Sequence, residues 1–234
     1  MVTAPKQETA NRLLAALPPA AYRRMSSDLQ RVKLSFGQVL YEPGKAIREV
    51  YFPNDCMISM VVVVQDGAGV EVGLVGREST IGYLVALGAA NSPVRVLVQG
   101  EGTAMRMRAD RFVKELERNR PLQKQLKRCT YISMATAMQI AACNKTHLLE
   151  SRLARWLLMV RDRLSSDEFT LTQEFLAQML GVRRAGVTAA ASALQRRQLI
   201  YYRRGKIRIV KPNALREAAC TCYEVIRKLE NDAH

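Results

Sequence analysis

The chain has 234 residues, with 36 Lys and Arg against 21 Asp and Glu (formal charge +15) and 48% hydrophobic content. That length and composition belong to a folded protein of two domains rather than one. The charge surplus favours a polyanionic partner, either nucleic acid or an anionic membrane. The membrane reading is the weaker, because the longest dense apolar run, Met57 to Val64, contains Ser59 and falls far short of the roughly 20 residues a spanning helix needs. Asn11 to Leu17 reads as a short helix broken by Pro18-Pro19, with no unbroken apolar signal core, so a cytoplasmic location is expected. Five scattered cysteines (Cys56, Cys129, Cys143, Cys220, Cys222), an odd number, fit reduced thiols there.

From Lys33 to about Met107 the texture is β. Gly37, Pro43-Gly44, Pro53-Asn54-Asp55, Asp66-Gly67 and Gly100-Glu101-Gly102 punctuate short runs such as Gln38–Tyr41, Ile58–Val64, Val70–Val75 and Val94–Val98. Short strands with frequent turns predict a sandwich or jelly roll, and Asp66-Gly67 between two apolar runs predicts a hairpin. From Ala109 the pattern turns helical, with a short helix over Asp110–Glu117 that stops near Pro121. Leu122, Leu126, Cys129, Ser133, Thr136, Ile140, Cys143 and His147 then recur at spacings of four and three. This heptad seam predicts a long helix with a subunit interface on it; the other reading is a helix lying on its own β domain. A second amphipathic helix carries Leu149, Leu153, Trp156, Leu157, Val160 and Leu164 on one stripe and ends at Ser165-Ser166-Asp167.

The C-terminal third carries the functional signal. Thr172 is an N-cap candidate, Gln173–Leu180 a short helix, Gly181 the turn, and Arg183 the start of a second helix packing through Val187, Ala190, Ala191 and Leu194. Ala177, Gly181 and Val187 supply the small crossing residue, the tolerance of positive φ and the apolar anchor that a helix-turn-helix needs. Tyr201–Val210 follows as a hairpin around Arg204-Gly205, and a last helix is expected from about Asn213 to Leu229. Between Thr170 and Pro212 nine basic residues face one acid, Glu174, a local charge of +8. A basic run is usually a solvated face, but here it coincides with the turn motif and the hairpin tip, which points to DNA.

The run from Leu171 through Thr188, with Ala193-Leu194 and Leu199-Ile200, resembles the winged helix-turn-helix of the Crp/Fnr regulators, and the upstream order is similar. The resemblance implies an α+β chain: an N-terminal β jelly-roll, cyclic-nucleotide-binding-like sensor domain (1–120), a long dimerisation helix (121–148) and a winged helix-turn-helix DNA-binding domain (149–234). It implies a homodimer on a palindromic operator, contacting DNA through Thr172, Gln173, Arg183, Arg184, Thr188, Arg203, Arg204 and Lys206. Arg184 matches the family's guanine-reading arginine; the Glu that often follows it is here Ala185. The dimer interface is expected at Leu122, Leu126, Cys129, Ser133, Thr136, Ile140 and Cys143. RNA polymerase and an unidentified small-molecule effector complete the expected partners.

The sensor end departs from the family's pattern. Cyclic-nucleotide-binding members hold the ribose with a Gly-Glu pair, and here Tyr83 follows Gly82; Arg95-Val96-Leu97 lacks the hydroxyl and small residue that accompany the phosphate-binding arginine. Glu78, Gly82, Tyr83 and Arg95 are the effector-pocket candidates. A tyrosine cannot accept two ribose hydrogen bonds as a carboxylate does, so a signal other than cyclic AMP is expected, the alternative being a cyclic-nucleotide-responsive regulator. No close cysteine pair precedes Cys56, as a cluster-bearing member would need, and Cys220-x-Cys222, placed on a helix, would point its sulfurs apart. No cofactor or metal is therefore expected. A jelly-roll enzyme would need clustered histidines in the β region, whereas the chain has only His147 and His234, so catalysis is not expected. A membrane-associated sensor is the remaining alternative.

Overall fold

A computed structural model describes residues 9–63 and 69–231. The described residues form two compact units, 9–60 with 74–133, and 61–63 and 69–73 with 134–231. The expected turn at Asp66-Gly67 lies outside the described residues, as do Val64 and His234.

In the first unit α1 (Arg12–Ala15) begins at Asn11, whose side chain accepts from Leu14 N and donates to the Pro53 and Ser79 carbonyls; α2 (Pro19–Ser26) begins at the proline pair. Seven strands follow among the described residues, with the end of β4 and the start of β5 falling in the second unit: β1 (Gln30–Leu34), β2 (Val39–Tyr41), β3 (Glu49–Pro53), β4 (Met57–Val63), β5 (Gly69–Val75), β6 (Arg95–Gly100) and β7 (Gly102–Arg108). One sheet orders them β1-β7-β3 and the other β2-β6-β4-β5, the two layers of the expected sandwich. Phe52 and Phe112 meet edge to face within one core cluster, and Ile58, Val96 and Val98 fill another.

Helix α3 (Ala109–Arg118) stops at Asn119, two residues before Pro121, and α4 (Arg120–Thr146) takes that proline into its first turn, where a missing N–H costs nothing. The long helix is continuous, with its residues to Ser133 in the first unit and from Met134 in the second. Most of its predicted seam is already buried within the single chain. Leu122, Leu126 and Cys129 join the core that contains Phe52 and Phe112, and Ser133 hydrogen-bonds with the Tyr83 hydroxyl. Thr136, Ile140 and Cys143 are also buried, Cys143 against Cys220 and Cys222. Of the seven residues expected at a subunit interface, six are buried within the single chain and Ser133 is half-buried; periodicity marks the buried stripe and not what buries it. A second stripe on the same helix, Tyr131, Met134 and Met138, is 58%, 53% and 63% exposed.

The second unit is built on α5 (Leu149–Leu164), buried along nearly its whole length around Trp156. The strand β8 (Glu168–Thr170) leads into α6 (Gln173–Leu180), α7 (Arg184–Arg196), β9 (Ile200–Arg203), β10 (Lys206–Ile209), α8 (Pro212–Ala218) and α9 (Cys222–Asn231). The last two replace the single helix expected from Asn213 to Leu229. Among the described residues no helix is long and apolar enough to cross a membrane.

Candidate nucleic-acid interface

The turn between α6 and α7 forms as its residues require. Thr172 Oγ1 accepts from Phe175 N at 3.1 Å to cap α6. Gly181 sits at φ +62 and closes the helix in a Schellman arrangement, with its own N–H on the Gln178 carbonyl and Val182 N on Ala177 O. Ala177 is buried where the helices cross, and Val187 anchors α7 with no exposed surface. Gly186 packs closely: a Cβ there would come within 3.0 Å of Leu149. Arg183 is the N-cap of α7, so Arg184 opens the helix one residue later than the sequence placed its start.

The exposed side of this turn gathers most of the expected DNA residues. Thr188 donates from its hydroxyl to Gln173 Oε1 at 2.8 Å, tying the start of α6 to the first turns of α7. Arg183, Arg184 and Thr188 are exposed. The wing joins three strands in the order β8-β10-β9. Strand β8, too short to show alternation, was not visible in the sequence; it pairs Phe169 with Ile207. Arg203 faces Lys206 across a two-residue turn, Arg204 at φ +49 and Gly205 at φ +80, the conformation that the twist of a hairpin favours. Gly205 O accepts from Leu171 N at 2.7 Å and the Tyr202 hydroxyl donates to Leu171 O at 2.8 Å, fixing the wing to the start of α6. Burial pushes the Tyr202 hydroxyl up to about 12, while the nearby Arg184 charge acts to lower it. Arg184 therefore stands beside the wing.

The basic residues divide into two groups. Arg197 pairs with Glu150 at 2.8 Å, Arg208 lies 3.9 Å from Glu168 and 5.8 Å from the centre of the Tyr201 ring, and Lys211 donates to Gln198. Arg183, Arg184, Arg196, Arg203, Arg204 and Lys206 have no carboxylate partner among the described residues. The cations left uncommitted include the five at the turn and the wing tip.

A feature that the sequence did not reveal adjoins the turn. The start of β5 belongs to this unit, and the buried Glu71 carboxylate accepts from Trp156 Nε1 at 2.8 Å. Gly69 and Val70 line a groove of about 960 Å³ with Phe175, Gln178, Gly181 and Arg184. A Cβ on Gly181 would lie 3.1 Å from Val70.

The effector-pocket candidates are held by the roll's own groups. Gly82 is held at φ +88 against the Tyr41 hydroxyl and the Glu49 carbonyl, capping a short 3-10 helix (Tyr83–Leu87). Tyr83 is buried in the core, and that burial raises its pKa. Glu78 accepts from Gly76 N at 2.8 Å, and Arg95 donates to Glu42 at 2.9 Å. Glu78 and Arg95 each have a partner of their own.

A β-roll with a basic winged helix-turn-helix defines a transcription regulator of the sensor-and-reader class. A cyclic nucleotide-binding domain model matches residues 31–119 and a Crp-like helix-turn-helix domain model matches 151–218. The chain belongs to the Crp/Fnr family of transcription regulators. Solved structures share the fold at low identity. FixK2 from Bradyrhizobium japonicum is 13% identical (TM-score 0.71, covering 82% of this chain and 98% of its own). The c-di-GMP-responsive global regulator CLP of Xanthomonas campestris is 13% identical (0.65, 82% and 99%). A Crp/Fnr-family regulator from Thermus thermophilus is 19% identical (0.64, 81% and 98%). No curated protein sequence matches the chain.

Proposed function

We propose that the chain acts in the cytoplasm as a homodimeric, sequence-specific DNA-binding regulator, with α7 in the major groove, and that it is not an enzyme. The observation that carries this reading is the set of five uncommitted cations at the turn and wing, held in place by the Gln173–Thr188 hydrogen bond and the wing's anchorage to Leu171. A free guanidinium at the start of a recognition helix matches guanine O6 and N7 bidentately, which is the role assigned to Arg184. Arg183, one residue away and turned by about 100°, meets phosphate, as do Arg203, Arg204 and Lys206. Thr172 and Gln173 meet phosphate at the start of α6.

The dimer uses the exposed stripe Tyr131, Met134 and Met138, whose spacing of three and four repeats the heptad on the face opposite the buried seam. Two copies then present two recognition helices to a palindromic operator, and RNA polymerase is the partner that reads the outcome. The signal is a small molecule other than cyclic AMP. The pairing of Glu78 and Arg95 with the roll's own groups, and the burial of Tyr83 in its core, support this. The contact of the β5 start with α5 and α6 offers a route for that signal to the reading helix.

Selection of bound sites from random duplex DNA tests the reading. It should return a palindrome with one guanine preference per half-site, and liposomes of anionic lipid should not compete. Equal retention of all sequences would contradict it.

A further inference from the structure

The second unit gathers four side chains that DNA reading does not use. Cys143 and His147 are four residues apart and share one face at the end of α4, where His147 N still donates to Cys143 O at 3.1 Å. Cys220 and Cys222 come from the corner between α8 and α9. A continuous helix there would point them apart. Instead Ala219 is extended at φ −69, ψ 154, Cys220 N donates to Ser151 O at 3.3 Å, and Cys222 opens α9, so both sulfurs turn the same way. The ligand atoms of Cys143, His147, Cys220 and Cys222 all lie within 4.8 Å of one another. Cys143 Sγ is 3.4 Å from Cys220 Sγ, and Cys222 Sγ is 3.5 Å from His147 Nδ1.

We propose that Cys143, His147, Cys220 and Cys222 form a closed, four-coordinate site for zinc. Tetrahedral zinc with Zn–S near 2.3 Å and Zn–N near 2.0–2.1 Å sets its ligand atoms about 3.6–3.8 Å apart, close to the spacing in place. A disulfide needs its sulfurs about 2.05 Å apart, well inside the 3.4 Å between Cys143 and Cys220. Three thiolates and one imidazole form a soft donor set that suits zinc, and four protein ligands leave no open position, which makes the site structural rather than catalytic. Gln139 Nε2 donates to Cys222 Sγ at 3.1 Å, an outer contact of the kind that orients a metal ligand.

Charge supplies the independent support. Arg152 and Arg155 are 7% and 2% exposed, and neither meets a carboxylate among the described residues. Arg155 donates to Met159 Sδ and Arg152 to the Leu180 carbonyl, while the Nε of each has no hydrogen-bond partner. Both stand on α5, whose Ser151 carbonyl accepts from Cys220 N. Buried cations without a counter-charge are costly. A divalent zinc with three thiolates and a neutral imidazole carries one net negative charge beside them, and its binding releases the three thiol protons to solvent.

The site joins positions 77 residues apart. Between them lie α5, β8, the helix-turn-helix, the wing and α8, so the metal clips the two ends of the DNA-reading segment together, closing a long loop.

Metal content of the full chain, purified from zinc-supplemented cells and measured by plasma mass spectrometry, tests this. The expected result is one zinc per chain, with a melting temperature that falls by about 10 °C on removal by a strong chelator. Cobalt added to the metal-free chain should give tetrahedral visible bands and thiolate-to-cobalt charge transfer in the near ultraviolet. Cys222→Ser and the half-buried His147→Asn should each lose the zinc and change the cobalt spectrum, whereas Cys129→Ser should keep both. A metal-free chain that gives no cobalt bands overturns the proposal. So does a Cys143–Cys220 disulfide in the chain as purified, or zinc retained at full occupancy by both Cys222→Ser and His147→Asn.

Discussion

The reading end and the β roll differ in how their candidate residues are spent. At the turn and wing, Arg183, Arg184, Arg203, Arg204 and Lys206 have no carboxylate partner among the described residues, on a scaffold tied by the Thr172 cap, the Gln173–Thr188 bond and the Tyr202–Leu171 bond. In the roll, Glu78, Tyr83 and Arg95 are already occupied by a backbone N–H, a hydrophobic core and Glu42. A surface prepared for a polyanion leaves cations uncommitted because phosphate will pay for them. The groups proposed for the effector pocket are internally paired, which is the ground for proposing a signal other than cyclic AMP.

The sharpest contrast between the two ends concerns doubling. If two copies read two half-sites, Met138→Glu places like charges face to face across the dimer and should lower operator affinity by about 10²–10⁴-fold, by loss of linked binding. The same variant should leave the melting temperature of the chain nearly unchanged, since Met138 is 63% exposed. Ile140→Glu, at a buried position, should instead destabilise the fold. Sedimentation and a melt distinguish the two, and a monomeric wild type at micromolar concentration would break the comparison.

A smaller effect is expected where the β5 start meets the reading unit. Trp156→Phe removes the indole donor from the buried Glu71 carboxylate and should cost about 1.5–3 kcal/mol, read by denaturant unfolding. Smaller again, Arg204→Gly preserves the positive φ of the wing turn while removing one charge. It should weaken all sequences alike and flatten the salt dependence by about one unit of slope per half-site. At the roll the expected effect is none. Cyclic AMP at 100 times any useful dissociation constant would add about 2.7 kcal/mol, so an unchanged melt separates a spent pocket from a working one.

The helix-turn-helix was legible because its determinants are local. Thr172, Gly181 and Val187 each dictate a cap, a turn or an anchor within a few residues of themselves. The jelly roll was legible from its turns, although β8 was too short to show a pattern. The seam on α4 was legible as a stripe, but spacing does not say what covers it: Leu122, Leu126 and Cys129 join one core of the chain itself and Cys143 another. Tyr131, Met134 and Met138 form the outward stripe that was missed. The cluster around Cys143 lay beyond sequence reasoning altogether. Its halves are 77 residues apart, and the break at Ala219 that brings Cys220 and Cys222 into line carries neither glycine nor proline.

The central claim is that Arg184 reads a base while its neighbours hold phosphate. Site selection from random duplex DNA with the Arg184→Ala dimer, run beside the wild type, tests it most directly. The loss of preference at a single guanine in each half-site, with a cost of about 1–3 kcal/mol per half-site on the best operator, is the predicted result. Full base preference retained by the variant would make Arg184 one more phosphate clamp and contradict the account.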